Sequence, residues 1–234
     1  MGTRVKKNLN HQKSANEPKK NSKIGHKSKE VTGSYRIIGG HWRSRRLSFP
    51  AIEGLRPTTD RVRETLFNWL ASEIQGARVM DLFAGSGALG LEALSRGAGA
   101  LFAIEKNKSA WRALTDNLNM LVTDESQRKN CSVKCTDALD FLSMTKAQIE
   151  QPDTKYTLRY DLIFLDPPFR QGLLAETLTL LDKHPLLEPS ALIYIEQEKE
   201  SSQLIPKNWQ LLKEKIAGQV RYQLYRSGSL DPGE

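Results

Sequence analysis

Asp166, Pro167, Pro168 and Phe169 follow the apolar run DLIFL and form the most chemically specific stretch of this sequence. Prolines cannot donate to a strand ladder and hold φ near −65°, so the strand stops and nearby carbonyls are left without ladder partners. What remains is an acceptor-rich corner with an aromatic ring beside it. Asp166 and the Pro167 carbonyl could both accept hydrogen bonds from one exocyclic NH2 group, and Phe169 supplies a face on which a base can stack. Such an amine is weakly nucleophilic because its lone pair is delocalised into the ring. Fixing it in line with an electrophilic methyl group, and drawing it towards tetrahedral geometry, is catalysis by positioning with electrostatic help. Taken alone, the same four residues also describe a strand-ending turn with a buried phenylalanine.

A second motif, VMDLFAGSGALG, spans residues 79 to 90. Gly85, Gly87 and Gly90 satisfy GxGxxG between a strand and a helix, and Glu105 ends the next strand where a ribose-binding acid belongs. A dinucleotide would fit that much. Asp81 discriminates, because an acid four residues before Gly85 would repel a pyrophosphate but can accept hydrogen bonds from an ammonium group. A ligand with an amino-acid end and an adenosine end fits better, and S-adenosyl-L-methionine is the expected cofactor. Glu105 would then hold its ribose diol, and Asp137, after the third strand, would accept from its adenine amine. Each acid, Asp137 above all, could instead be a helix N-cap or a surface charge. Phe83, Lys106 and Ala138, neighbours of these acids in the chain, complete the expected cofactor set together with Thr58.

The elements that must position these residues read as alternating strands and helices. ARVMDLFA, ALFAIE, CSVKCTD, YDLIFLDPPF and ALIYIEQE have strand character, and GALGLEALSRGA, KSAWRALTDNLNML, ALDFLSMTKAQ and LLAETLTLLDKH have helical spacing. WQLLKEKIAGQVRYQLYRS adds two strands joined by a turn at Ala217 and Gly218. This pattern predicts an α/β, Rossmann-like, doubly wound, seven-stranded, mostly parallel sheet with an antiparallel C-terminal hairpin. Upstream, RPTTDRVRETLFNWLASEI predicts a helix capped by Thr59 or Asp60, with Val62, Leu66, Trp69, Leu70 and Ile74 on one face and an end at Gly76. YRIIGGHWRSRRLSFP predicts a basic hairpin turning around Gly39 and Gly40.

Charge is concentrated at one end. The chain carries +8 overall, with nine Lys or Arg against two acids in residues 1 to 34 and five more arginines by Arg56. A basic arm of this kind suits nucleic acid, since each phosphate contact releases counterions, although a solvated tail has the same composition. The expected organisation is a disordered basic tail at 1–34, an RNA-binding hairpin at 35–56 and a methyltransferase domain at 57–234. Arg36, Trp42, Arg43, Arg45, Arg46 and Arg56 are the candidate RNA contacts. No apolar run approaches a membrane span and the N-terminus lacks a signal peptide's apolar stretch, so a cytoplasmic protein is expected. Cys131 and Cys135 have neither zinc nor disulfide spacing, and His11, His26, His41 and His184 form no metal triad, so no metal is expected.

DPPF and the glycine motif together resemble the class I S-adenosylmethionine-dependent methyltransferases that methylate exocyclic or amide nitrogens. More narrowly, YRIIGGHWRSRRL, RPTTDRVRETLFNWL, DLFAGSGALGLEALSRGA and FLDPPF are similar to the RsmD family of bacterial enzymes, over roughly residues 35 to 226. The resemblance implies methyl transfer to the N2 amine of one guanine in 16S ribosomal RNA, within an assembling small subunit; a monomer is expected. It implies that Asp81, Gly85 and Gly87 shape the methionine end of the cofactor site, that Glu105 and Asp137 meet its ribose and adenine, and that Asp166 to Phe169 hold the guanine. It also implies that the Arg56, Pro57, Thr58 segment helps close over the cofactor, with Thr58 or Arg61 touching it. The lysine-rich extension before Tyr35 departs from the family. Adenine N6 in DNA or RNA and a protein glutamine are rival acceptors for DPPF, a nicotinamide oxidoreductase is the rival for GxGxxG, and a non-catalytic RNA-binding protein is the third. No cysteine near DPPF could serve as the nucleophile of pyrimidine carbon methylation.

Overall fold

Strands that are apolar on both faces are satisfied only when helices cover both sides of the sheet, and that is the arrangement found. The computed structural model describes residues 1–3, 32–52, 58–144, 159–182 and 185–228. Most of the basic tail, Arg56 and Pro57, the end of the ALDFLSMTKAQ segment, and Lys183 with His184 lie outside the described residues.

The sheet contains β3 (Arg78–Asp81), β4 (Ala100–Ile104), β5 (Cys131–Lys134), β6 (Tyr160–Leu165), β7 (Leu187–Glu198), β8 (Trp209–Ala217) and β9 (Val220–Ser227), in the order β5-β4-β3-β6-β7-β9-β8. The first five pair in parallel, while β9 runs antiparallel to both β7 and β8. This is the expected α/β architecture. Chain order reverses between β3 and β6, so a crevice opens at their carboxyl ends, where open parallel sheets bind ligands.

Helices α1 (Asp60–Trp69), α2 (Ala88–Ser95) and α3 (Lys108–Leu121) pack one face, against Val79, Leu101, Leu162 and Leu192. Helices α5 (Ala138–Leu142) and α6 (Leu173–Asp182) pack the other, against Met80, Phe102, Ile163 and Ile193. Capping fixes where they start: the Thr59 hydroxyl accepts from Val62 N at 3.4 Å and Asn107 Oδ1 accepts from Ser109 N at 2.9 Å. The α1 segment stops at Trp69, earlier than Gly76, because Leu70 already caps the helix and Trp69 stacks on Tyr222 with ring centroids 5.4 Å apart. A one-turn helix α4 (Glu125–Arg128), capped by Asp124, was not expected from the sequence.

The N-terminal hairpin is present as β1 (Thr32–Arg36) paired antiparallel with β2 (Arg46–Pro50). Two expectations about it are corrected. Strand β1 starts at Thr32, inside the stretch assigned to a tail, and the hairpin shares a core with the sheet through Tyr35, Ile37, Leu47 and Phe49. Trp42 is also in that core, only 8% exposed, so its ring offers no surface to RNA. The reason is the tight docking of the loop onto α2. His41 N and Trp42 N donate to Ser95 O and Ser95 Oγ at 2.7 and 2.9 Å, and a Cβ on Gly40, where φ is +75°, would sit 1.8 Å from Ser95 O. Among the described residues, no helix is long and apolar enough to cross a membrane.

Candidate active site

Four acids stand at or just past the carboxyl ends of the four strands from β5 to β6: Asp81 ends β3, Glu105 and Asp137 follow β4 and β5, and Asp166 follows β6. Asp81 is 2% exposed and its Oδ1 has no hydrogen-bond partner. Burial, with help from Asp166 and Glu105, pushes its carboxyl up to about 7, while the N–H groups of Phe83 and Gly90 pull it back. A buried acceptor without a donor is costly, and an ammonium group is the donor that would relieve it. Around it the chain turns through Gly85 at φ +54° and Gly87 at φ +82°. A Cβ on Gly87 would approach Leu114 Cδ1 to 2.2 Å at a positive φ, so a side chain at this position would be strained. These residues fit the amino-acid end of S-adenosylmethionine.

The other two acids are partly committed within the chain. Glu105 Oε2 accepts from Gly85 N at 2.8 Å and Oε1 from Asn107 N at 2.6 Å, so it braces the glycine loop and keeps one lone pair on each oxygen for a ligand. Asp137 Oδ1 caps α5 by accepting from Leu139 N at 2.8 Å, and Oδ2 lies 3.8 Å from Lys106 Nζ. The N-cap alternative for Asp137 is thus realised, with Oδ2 turned to Lys106. Phe83 is half-buried against the second core, and Ala138 is the buried first residue of α5.

Beyond β6 lies the second half of the crevice. Asp166 is half-buried, and Thr58 Oγ1 donates to its Oδ2 at 3.2 Å. Burial raises the Asp166 carboxyl to about 6, against the lowering effect of that hydroxyl. Phe169 is 37% exposed, so it is not the buried ring of a mere turn. It borders a cavity of about 480 Å³ with Pro167, Pro168, Glu196 and Gln203. Arg170, held at φ +61°, donates its backbone N–H to Glu198, which ties the end of the motif to β7.

Three charged residues in and behind this site escaped the sequence reading. Glu196, 4% exposed, accepts from the Tyr194 hydroxyl at 2.8 Å. It obeys the same rule as Asp81, an acid near the end of a buried strand, and could have been found by it. Arg63 and Glu92, both fully buried, join the hairpin to Thr58 beside Asp166. Glu92 accepts from Ile38 N at 2.7 Å, Gly39 N at 2.8 Å, Arg96 Nε at 2.7 Å and Arg63 Nη1 at 3.4 Å. Arg63 Nε in turn donates to Thr58 O at 3.1 Å, and Tyr35 Oη donates to Ser86 O at 3.1 Å. A charge on an otherwise apolar helix face was the available signal.

Of the candidate RNA contacts, Arg43, Arg45 and Arg46 are exposed on the hairpin. Arg36 is exposed as well, but pairs with Asp60 at 2.9 Å. Arg56 lies outside the described residues and Trp42 is buried. Arg61 is exposed on the first turn of α1.

Comparison with known proteins bears on this geometry. The family described as conserved hypothetical protein 95 matches residues 35–226. The chain is 48% identical over 196 residues to "Ribosomal RNA small subunit methyltransferase D" of Escherichia coli strain K12, covering 83% of this chain and 91% of that protein. It is 44% identical over 195 residues to the protein of the same name from Haemophilus influenzae, covering 83% and 95%. Among solved structures, "Putative methyltransferase yhhF from Escherichia coli" superposes with a TM-score of 0.70 at 44% identity, over 84% of this chain and 99% of that one.

Proposed function

This chain belongs to the conserved hypothetical protein 95 family, and on that premise we propose that it transfers a methyl group to the exocyclic N2 of a guanine in small-subunit ribosomal RNA. The protein is an S-adenosylmethionine-dependent rRNA methyltransferase. The observation that carries the acceptor assignment is the corner at Asp166 to Phe169, where an exposed ring borders a cavity, in the same crevice as Asp81 with its unpartnered Oδ1.

When bound, the cofactor supplies an electrophilic methyl group on a sulfonium. Asp81 would accept from its ammonium group, the turn at Gly85 and Gly87 would give room for its methionine end, and the spare lone pairs of Glu105 would hold its ribose hydroxyls. Asp137, beside Lys106, would take its adenine end. Asp166 and the Pro167 carbonyl accept the two N2 hydrogens, which turns the lone pair of the amine out of conjugation and towards the methyl carbon. Phe169 stacks on the base. Asp166, raised by burial to about 6, would accept the proton that the amine releases as the new N–C bond forms and the methyl–sulfur bond breaks, the sulfonium leaving as a neutral thioether. Thr58 keeps that carboxylate in one orientation. Arg43, Arg45 and Arg46 contact rRNA phosphates, and the substrate is an assembling small subunit in the cytoplasm, met by a monomer.

The test is transfer of tritiated methyl from S-adenosylmethionine to small subunits from a modification-deficient strain, with the labelled nucleoside mapped. N2-methylguanosine at one position is expected; label on adenine, or none, overturns the assignment.

A further inference from the structure

The cavity beside Phe169 is lined by Glu196, Glu198 and Glu200, and the buried Glu196 is a carboxylate that the mechanism above leaves without a role. Glu196 lies near the end of β7, and the register that pairs Leu165 with Ile195 sets it beside Asp166. It lines the same cavity as Pro167, Pro168 and Phe169 although it is 4% exposed. The next two residues on the strand are engaged elsewhere: Gln197 Nε2 donates to Gln223 Oε1 at 2.8 Å, and Glu198 accepts from the Arg170 backbone N–H. Glu196 Oε1 accepts from the Tyr194 hydroxyl, which fixes the side chain. The Thr58 hydroxyl acts on both acids but has one proton, which it can give to Asp166 at 3.2 Å. When it does, no other donor among the described residues is seen on Glu196 Oε2, which is then open to a ligand.

Two acids side by side, Glu196 in the cavity wall and Asp166 just ahead of Pro167, are unfavourable unless something donates to them. Burial and Asp166 together hold the Glu196 carboxyl well above its ordinary range. A neutral base rich in N–H groups on one edge would relieve both. We propose that Glu196 reads the identity of the acceptor base, accepting the N1–H of guanine while Asp166 and the Pro167 carbonyl accept from its N2 amine. The proposal rests on the assignment of guanine N2 as acceptor. The N–H groups of guanine favour the ionised form of Glu196, whereas adenine has no hydrogen on N1 and would be accepted only if this carboxyl first took up a proton. A site built to accept a hydrogen bond rejects the analogue that cannot donate it more strongly than a site built on shape alone.

The experiment compares guanine with 2-aminopurine at the mapped target position, in rRNA reconstituted into small subunits that lack the modification. 2-Aminopurine keeps the 2-amino group and has no N1–H. Wild-type kcat/KM should fall about 10- to 100-fold on the analogue, the worth of one hydrogen bond to a charged group. Glu196→Gln can turn either its oxygen or its NH2 towards N1, so its preference for guanine should shrink to about threefold or less, with S-adenosylmethionine affinity by calorimetry unchanged. A wild-type preference under about threefold overturns the proposal, and that measurement does not depend on how the variant folds. So does a Glu196→Gln enzyme that keeps the wild-type preference. Should the wild-type enzyme put its label on a base other than guanine, the acceptor assignment itself fails, an outcome separate from either of these.

Discussion

Asp81→Asn should stabilise the cofactor-free protein at alkaline pH relative to acid pH while weakening its hold on S-adenosylmethionine. Burial beside Asp166 and Glu105 moves the Asp81 carboxyl from 3.8 to about 7. The folded chain then binds a proton there more tightly than the unfolded chain does. Stability from this residue is full below about pH 4 and is lost as pH rises to about 7. At about 1.4 kcal/mol per unit the loss approaches roughly 4 kcal/mol, of which about 3 falls between pH 5 and pH 8. Asparagine keeps an oxygen for the Phe83 and Gly90 N–H groups and carries no charge, but it sets an NH2 group where Oδ1 had no partner. That unpaired donor is destabilising by about 1 to 3 kcal/mol at either pH. The stability difference, variant minus wild type, should therefore be more favourable at pH 8 than at pH 5 by about 3 kcal/mol. Urea titration at the two pH values measures it through the midpoint, given an unchanged m-value. Calorimetry with S-adenosylmethionine should show affinity reduced about 10- to 100-fold, the loss of a charge-assisted hydrogen bond. A stability difference equal at both pH values, or an unchanged affinity, would refute the reasoning.

Other parts of the structure lead to further expectations. Thr58→Val removes the hydroxyl that donates to Asp166 at 3.2 Å and lowers its pKa; the acid limb of the pH–kcat profile should move to higher pH, and a limb that stays in place speaks against that contact. Gly40→Ala sets a Cβ 1.8 Å from Ser95 O at a φ of +75°, so denaturation should show a loss of roughly 2 to 4 kcal/mol; a smaller loss would mean that the hairpin is not docked on α2 as described. Replacing Arg43, Arg45 and Arg46 together by Ala should flatten the dependence of log affinity for unmodified small subunits on log salt by up to about 3. An unchanged slope would place the RNA elsewhere.

Much of this arrangement could be read from the sequence because its signals are local. Helix α3 matches its expected span from Lys108 to Leu121, since Asn107 caps it and its apolar spacing is regular. The strand ends at Asp81 and Leu165 are marked by a glycine loop and by two prolines. What the sequence hid depends on contacts between distant residues. Trp42 lies among arginines in a loop, where neither strand nor helix period applies, and only the close approach of Gly40 to Ser95 turns its ring into the core. Glu92 and Arg63 read as ordinary helix charges until packing brings them 3.4 Å apart beneath the hairpin. Each keeps a second partner, Arg63 with Asp60 and Glu92 with Arg96, both at 2.7 Å, so the buried charges are held as a network. Asp137 shows the opposite case, in which a local cap competes with the role the strand-end pattern suggests. Glu196 was missed only because the strand-end rule was applied to the strands on one side of the switch point and to Asp166.

The corner at Asp166 is tested most directly by single-turnover methyl transfer from Asp166→Asn to unmodified small subunits at saturating S-adenosylmethionine. Asparagine preserves size but cannot take a proton and accepts hydrogen bonds less strongly than a carboxylate. A transfer rate lower by about 100-fold or more, with cofactor affinity within about threefold of wild type, is the expected result. A variant that binds the cofactor normally and methylates at near the wild-type rate would contradict the assignment of this corner as the seat of the acceptor amine.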